Sequence, residues 1–141
     1  MIDNLSEYFN KEYQFYLDSI TFNRIDNGDF TNQIKMNCTD QIQTYISDRT
    51  VKLTLTRLVN FQPENLFSLS VSFGAILIIK EEKYKEYDWK TIDLANEFRN
   101  SGNFVLDNLM SRITLLIGQI TSSFGQQPLI LSPAGTQPLV K

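Results

Sequence analysis

Histidine is absent from this chain of 141 residues. That removes the commonest general base near neutral pH and the commonest metal ligand, so no Ser-His or Cys-His relay and no His-based zinc site is available. Cysteine occurs once, as Cys38. A lone thiol forms no internal disulfide and suits the reducing cytoplasm. No apolar run approaches the length a bilayer demands: the longest are Ala75 to Ile79 and Leu115 to Ile117. The opening MIDNLSEYFNKEY lacks the basic start and apolar stretch of a secretory signal. Positive charge is also short, with 13 Lys and Arg against 16 Asp and Glu. An acidic balance opposes nucleic acid and anionic lipid as partners. No Gly-rich phosphate loop is present, so neither ATP nor any other cofactor is expected. The carboxylates Asp18 and Asp29 read as cap and turn residues rather than a catalytic pair, and no enzyme is predicted.

What remains is ample for a core. Hydrophobic residues make up 42% and charged residues 21% of the chain, the balance of one globular domain spanning residues 1–141. Residues 1–13 read as an N-terminal arm or a short helix. From Phe15, the residues Phe15, Leu17, Ser19 and Thr21 alternate with Tyr16, Asp18, Ile20 and Phe22, a strand rich in aromatic and β-branched side chains. Asn27-Gly28-Asp29 predicts a turn. Ile34, Met36 and Cys38 set a period of two, and a second strand is predicted over roughly 31–45. After a break at Ser47-Asp48, Val51, Leu53, Leu55, Arg57, Val59 and Phe61 occupy one face of a third strand. Gln62-Pro63-Glu64-Asn65 turns the chain into a fourth, Phe67 to Ile79, whose second face becomes apolar at Ile76 and Ile78. A short helix is predicted over 88–99 with Asp88 as its N-cap, broken by Ser101-Gly102.

A long helix then begins near Asn103. Val105, Leu106, Leu109, Met110, Ile113, Leu116, Ile117, Ile120 and Phe124 fall within an arc of about 140° at helical spacing. The rest of its circumference is unusual: Asn108, Ser111, Thr114, Leu115, Gly118, Gln119, Thr121 and Ser122 leave it with Asp107 and Arg112 as its only charges. Such a face is predicted to be covered by another subunit, with a weakly polar solvated face as the plainer reading. Gly125 supplies a C′ stop and Pro128 prevents continuation. Residues 126–141 hold three of the four prolines, and 134–141 are expected to form a flexible tail. The predicted fold is therefore α+β: a four-stranded antiparallel sheet backed by one long C-terminal helix.

Element order and spacing resemble the SecB family of export chaperones. Three segments carry the likeness: Tyr16-Leu17-Asp18-Ser19-Ile20-Thr21-Phe22 for its first strand, Phe67 to Ile79 with Gly74 inside for its fourth, and Leu109 to Pro133, a helix followed by an aromatic turn and a Pro-bounded Leu-rich tail. The resemblance implies a homotetramer, a dimer of dimers with sheets outside and long helices sandwiched between them. It also implies apolar grooves that take up unfolded segments of client proteins. Matching on Phe22 and Gly74 places Ser19, Asn23, Phe67 and Leu69 where the family carries acidic residues that dock the export motor. None is acidic, which puts docking to the translocase in doubt. The chain ends at Lys141, where the family continues into a second helix.

Two site expectations follow. Phe73, Ile76, Ile78, Tyr84, Tyr87, Trp89 and Phe98 line a client groove, or else form a satellite core under a loop. Tyr16, Ile20, Phe22, Ser111, Thr114, Leu115, Gly118 and Ser122 form the contacts between subunits. The mixed charges of Lys80 to Glu86 read as a solvated segment, and Cys38 as a small buried hydrophobe. The function expected is ATP-independent holding of unfolded polypeptide in the cytoplasm, with protein export as one route it would serve. The alternative is a dedicated interaction protein on the same scaffold, a toxin-antitoxin-associated chaperone or a phage or mobile-element regulator with one partner.

Overall fold

Alternating apolar and polar side chains fold into four long antiparallel strands in a computed structural model that describes residues 2–25, 35–62 and 66–123. They are β1 (Gln14–Ile25), β2 (Lys35–Ser47), β3 (Thr50–Gln62) and β4 (Leu66–Ile78). Their order in the sheet is β1-β4-β3-β2, so β1 and β2 are the edges. Asp48 and Arg49 alone join β2 to β3, with Asp48 at φ 51°, a left-handed conformation that Asp tolerates better than most residues. The predicted turn at Asn27-Gly28-Asp29 and most of that at Pro63-Glu64-Asn65 lie outside the described residues, as do the first positions predicted for the second strand.

The inner face of β3 carries Val51, Leu53, Leu55 and Val59, all buried, and β4 adds Leu69, Val71, Ala75 and Leu77. Against this face lies α3, Asn103–Ser122, through Val105, Leu109, Met110, Ile113 and Ile117. Leu106, Leu116 and Ile120 are half-buried at its margins, so the predicted apolar arc is the packed one. Gly102, rather than Asn103, is the residue before the first turn, and no side chain caps it. The predicted stop at Phe124, Gly125 and Pro128 lies outside the described residues.

The connection from sheet to helix departs from the predicted single helix over 88–99. Glu81–Tyr84 forms one helical turn (α1) and Trp89–Thr91 a single 3-10 turn. Ile92 is extended, and α2 runs over Leu94–Ser101. The reason is a competition between two aspartates. Asp93 accepts a hydrogen bond from the Asn96 N–H at 3.2 Å and starts the helix there, while Asp88 makes no side-chain cap. The N-terminal segment contains a 3-10 turn, Leu5–Tyr8, and is no loose arm: Ile2, Leu5 and Phe9 are buried.

Candidate functional site

β1 departs from strict alternation. Its register against β4 shifts between Leu17 and Ser19. The bulged residue, Asp18, swaps the faces of everything after it. Phe15 and Leu17 therefore share the helix side of the sheet with Ile20 and Phe22, opposite Ala75, Phe73, Val71 and Leu69. The helix covers only the start of this row, where the Arg112 guanidinium lies 4.7 Å from the centre of the Phe15 ring. Beyond it, Leu17, Ile20 and Phe22 are 50, 43 and 40% exposed, an apolar strip on an edge strand. Phe67 supports its far end, with ring centres 5.8 Å from Phe22 and 5.1 Å from Phe61.

Of the three sheet residues predicted at a subunit contact, Ile20 and Phe22 belong to this strip. Tyr16 does not: it is on the opposite face, its ring laid over Gly74 where any Cβ would collide with it. Leu17 belongs to the strip and was not predicted, because a one-residue bulge leaves no pattern in the sequence.

The helical half of the predicted contact is continuous. Ser111, Leu115 and Ser122 are exposed, with Thr114 and Gly118 half-buried along the same side of α3. Leu115 is 65% exposed. Several hydroxyls here are satisfied within the helix: Thr114 donates to the Met110 carbonyl at 3.0 Å and Ser122 to that of Gln119 at 2.8 Å. The face is consequently less hungry for water than its composition implies.

The residues predicted to line a groove separate into three places. Phe73 is on the inner face beside Leu17, whereas Ile76 and Ile78 point from the outer face. Tyr84 is half-buried and Tyr87 exposed. Trp89 and Phe98 are 2% and 0% exposed and offer no surface. They are covered by the N-terminal segment: Phe9 sits 6.2 Å from Trp89, 5.7 Å from Phe98 and 6.2 Å from Phe104, ring centre to ring centre. Trp89 also donates its indole N–H to the Tyr84 carbonyl at 3.0 Å. At the rim, the Lys83 ammonium is 5.3 Å from the Tyr8 ring centre and 3.4 Å from Glu86. The Tyr8 phenol is pushed up to about 12 by hydrogen bonding with Tyr87, then by burial, and then by the charges of Tyr87 and Glu86.

Ser, Thr, Asn and Gln predominate on the outer face of the sheet, interspersed with Tyr16, Tyr45, Lys52, Leu58, Ile76 and Ile78; among the hydroxyls, those of Thr56 and Ser72 are 2.6 Å apart. Among its described paired positions none is Asp or Glu. Ser19 and Asn23 belong to this face, but Phe67 and Leu69 point inward and Leu69 is fully buried, so these four positions form no common surface.

Arg57 is the buried cation. Its Nε and Nη2 donate to the two carboxylate oxygens of Asp40, directly across on β2, at 2.7 and 2.8 Å. Burial works against its charge, but the hydrogen bonds and charge of Asp40 outweigh that and raise its pKa further. Cys38, one step along, is buried as predicted, and burial raises its thiol pKa. Among the described residues no group of Cys, Asp and Glu is placed to hold a metal ion, and no helix is long and apolar enough to cross a membrane.

No family model matches the sequence, and no curated protein matches it. Solved structures do match the fold. The chain aligns with the Rv1957 SecB-like chaperone of Mycobacterium tuberculosis, solved in complex with a ChAD peptide from the Rv1956 HigA1 antitoxin. The TM-score is 0.62 at 10% identity, over 93% of this chain and 91% of that one. A protein of unknown function from Streptococcus agalactiae aligns at a TM-score of 0.48 and 10% identity, over 88% of this chain and 98% of that one. The fold is thus SecB-like, as the resemblance of the sequence implied.

Proposed function

We propose that this chain is a SecB-like chaperone that binds polypeptide, holding apolar segments of a partner protein without ATP, cofactor or catalysis. The observation that carries the proposal is the strip of Leu17, Ile20 and Phe22 on β1, which is an edge strand among the described residues, beside a long helix whose outward side bears Leu115 and little charge. An exposed apolar strip on an edge strand marks a surface built for contact, and an edge adds main-chain hydrogen bonding to any extended segment. In this reading the chain works in the cytoplasm as a homotetramer, with the α3 faces of two dimers packed together. Many weak apolar contacts then add through avidity.

A second reading is favoured by a specific observation. The outer sheet face has no carboxylate at its described paired positions. An export motor that docks on acidic residues would find at most the bulged, exposed Asp18 of β1 there, so we leave export coupling out of the proposal. A chaperone dedicated to one partner has no need of it. The solved structure with this fold that holds an antitoxin peptide illustrates such an arrangement in another protein.

Aggregation of several unrelated denatured proteins, followed by light scattering, separates the two. A general holder suppresses all of them at equimolar tetramer, and a dedicated one suppresses none but its partner. Mass in solution tests the assembly: four times 16.3 kDa is expected. Gly118→Arg, which places a bulky charge on the small-residue side of α3, should lower that mass. A monomeric wild type would overturn the assembly.

A further inference from the structure

We infer that residues 2–10 are an internal ligand, covering an aromatic cleft that takes up an apolar segment of the partner polypeptide. The inference rests on the peptide-binding reading above and adds to the β1 strip a second place, with its own regulation.

The segment is built as a docked peptide. Ile2, Leu5 and Phe9 are 3, 1 and 0% exposed, while Asp3, Asn4, Glu7 and Asn10 between them face solvent. Three anchors at i, i+3 and i+7 on one side and polar residues on the other is how a short amphipathic segment fills a groove. The receiving wall is Trp89, Phe98 and Phe104, with Phe9 at the centre of the ring contacts. Main-chain bonds tie the segment down as they would a foreign strand: Asn10 N–H to Ile78 O and Lys80 N–H to Tyr8 O, both 2.9 Å. At its start the Ile2 N–H donates to the Glu97 carboxylate at 2.8 Å.

The connection to β1 has slack. Phe9 is opposite Ile79 and Gln14 is opposite Ile76, so five residue steps on this side span three on β4. Lys11 and Glu12, in the surplus, are exposed. The segment can therefore lift while β1 keeps its register. A ligand for the cleft binds only the lifted state, and its apparent affinity falls by the fraction of molecules in that state.

Trp89 is the chain's one tryptophan, and it stands in the cleft wall. The probe is a labelled synthetic peptide with the sequence of residues 1–10, titrated by its anisotropy and by Trp89 emission into three full-length proteins. Leu5→Asp, which puts a carboxylate in the cleft and expels the segment, should bind it at least tenfold more tightly than wild type. Tyr8→Cys with Lys80→Cys places two thiols on residues joined by the 2.9 Å bond from the Lys80 N–H to the Tyr8 carbonyl, neighbours that a disulfide is designed to lock together. When oxidised it should bind no peptide, and reduction in the same cuvette should restore binding.

Equal affinity in the oxidised and reduced double variant would overturn the inference, including in the case that Leu5→Asp does not fold. A denatured client protein, tested alongside, separates this inference from its premise. Holding that persists unchanged in the oxidised form sinks the role of the segment alone. No holding in any form sinks the chaperone reading, even where the peptide binds the opened cleft.

Discussion

Arg57 and Asp40 face each other across β3 and β2 in a two-pronged ion pair, with the arginine side chain wholly buried and the aspartate 20% exposed. The pair sits on the inner face of the sheet among Leu55, Val59 and Cys38, where an uncompensated guanidinium is expensive. Asp40→Asn keeps the shape and removes the countercharge, and is expected to cost about 3 kcal/mol. Urea unfolding checks this as a lower midpoint at unchanged slope. Replacing both residues by apolar ones, Asp40→Leu with Arg57→Met, should recover most of that loss.

Gly74 and Tyr16 are coupled in the same strict sense. A Cβ at Gly74 would meet the end of the Tyr16 ring, a side chain able to swing away. Gly74→Ala should therefore cost about 1 kcal/mol, the lower end of overpacking penalties. In a Tyr16→Ser background the same change should cost nothing or stabilise the strand. Additive effects in that double-mutant cycle would show that the ring does not depend on the glycine.

Gly102 should respond more severely. It joins α2 to α3, and a Cβ there would meet the backbone carbonyl and Cα of Phe98, with no flexible side chain to give way. Gly102→Ala is expected to cost about 3 kcal/mol, read by thermal or urea unfolding. Asp93→Ala, which removes only the α2 cap, should cost about 1 kcal/mol.

The Cys38 thiol gives the chain an alkaline weakness. Its folded pKa is raised, by burial first, with Arg57 acting against this and Asp40 adding to it. As pH rises past the ordinary thiol value of about 8.5, the unfolded chain loses its proton while the folded chain keeps it. Stability from this group is present below that pH and declines above it. Denaturation midpoints measured from pH 7 to 10 should fall in the wild type and fall less in Cys38→Ala.

The strands were legible because their signals are local. Val51, Leu53, Leu55, Arg57 and Val59 follow at every second position, and that repetition is the buried face of β3. The arc of α3 was legible for the same reason at helical period. What escaped depended on distant partners or on single residues. The swap at Asp18 has no periodic trace, so Leu17 went unnoticed and Tyr16 was assigned to the wrong company. Ile2, Leu5 and Phe9 have a visible spacing, but the rings that Phe9 meets, Trp89, Phe98 and Phe104, are far away in the chain. Trp89 and Phe98 therefore looked available when they are enclosed. Asp88 and Asp93 are equally good caps on paper, and only the extended Ile92 between them decides where α2 starts.

The irregularity at Asp18 also divides β1, an edge strand among the described residues. An incoming ribbon that zips onto β1 meets a regular ladder from Ser19 to Ile25, seven residues long, before the kink breaks its stride at Leu17. In the peptide-binding reading proposed above, a guest longer than that would have to buckle or detach at the kink, so the length of a main-chain clasp on this strand would be set by one misfit residue rather than by the guest.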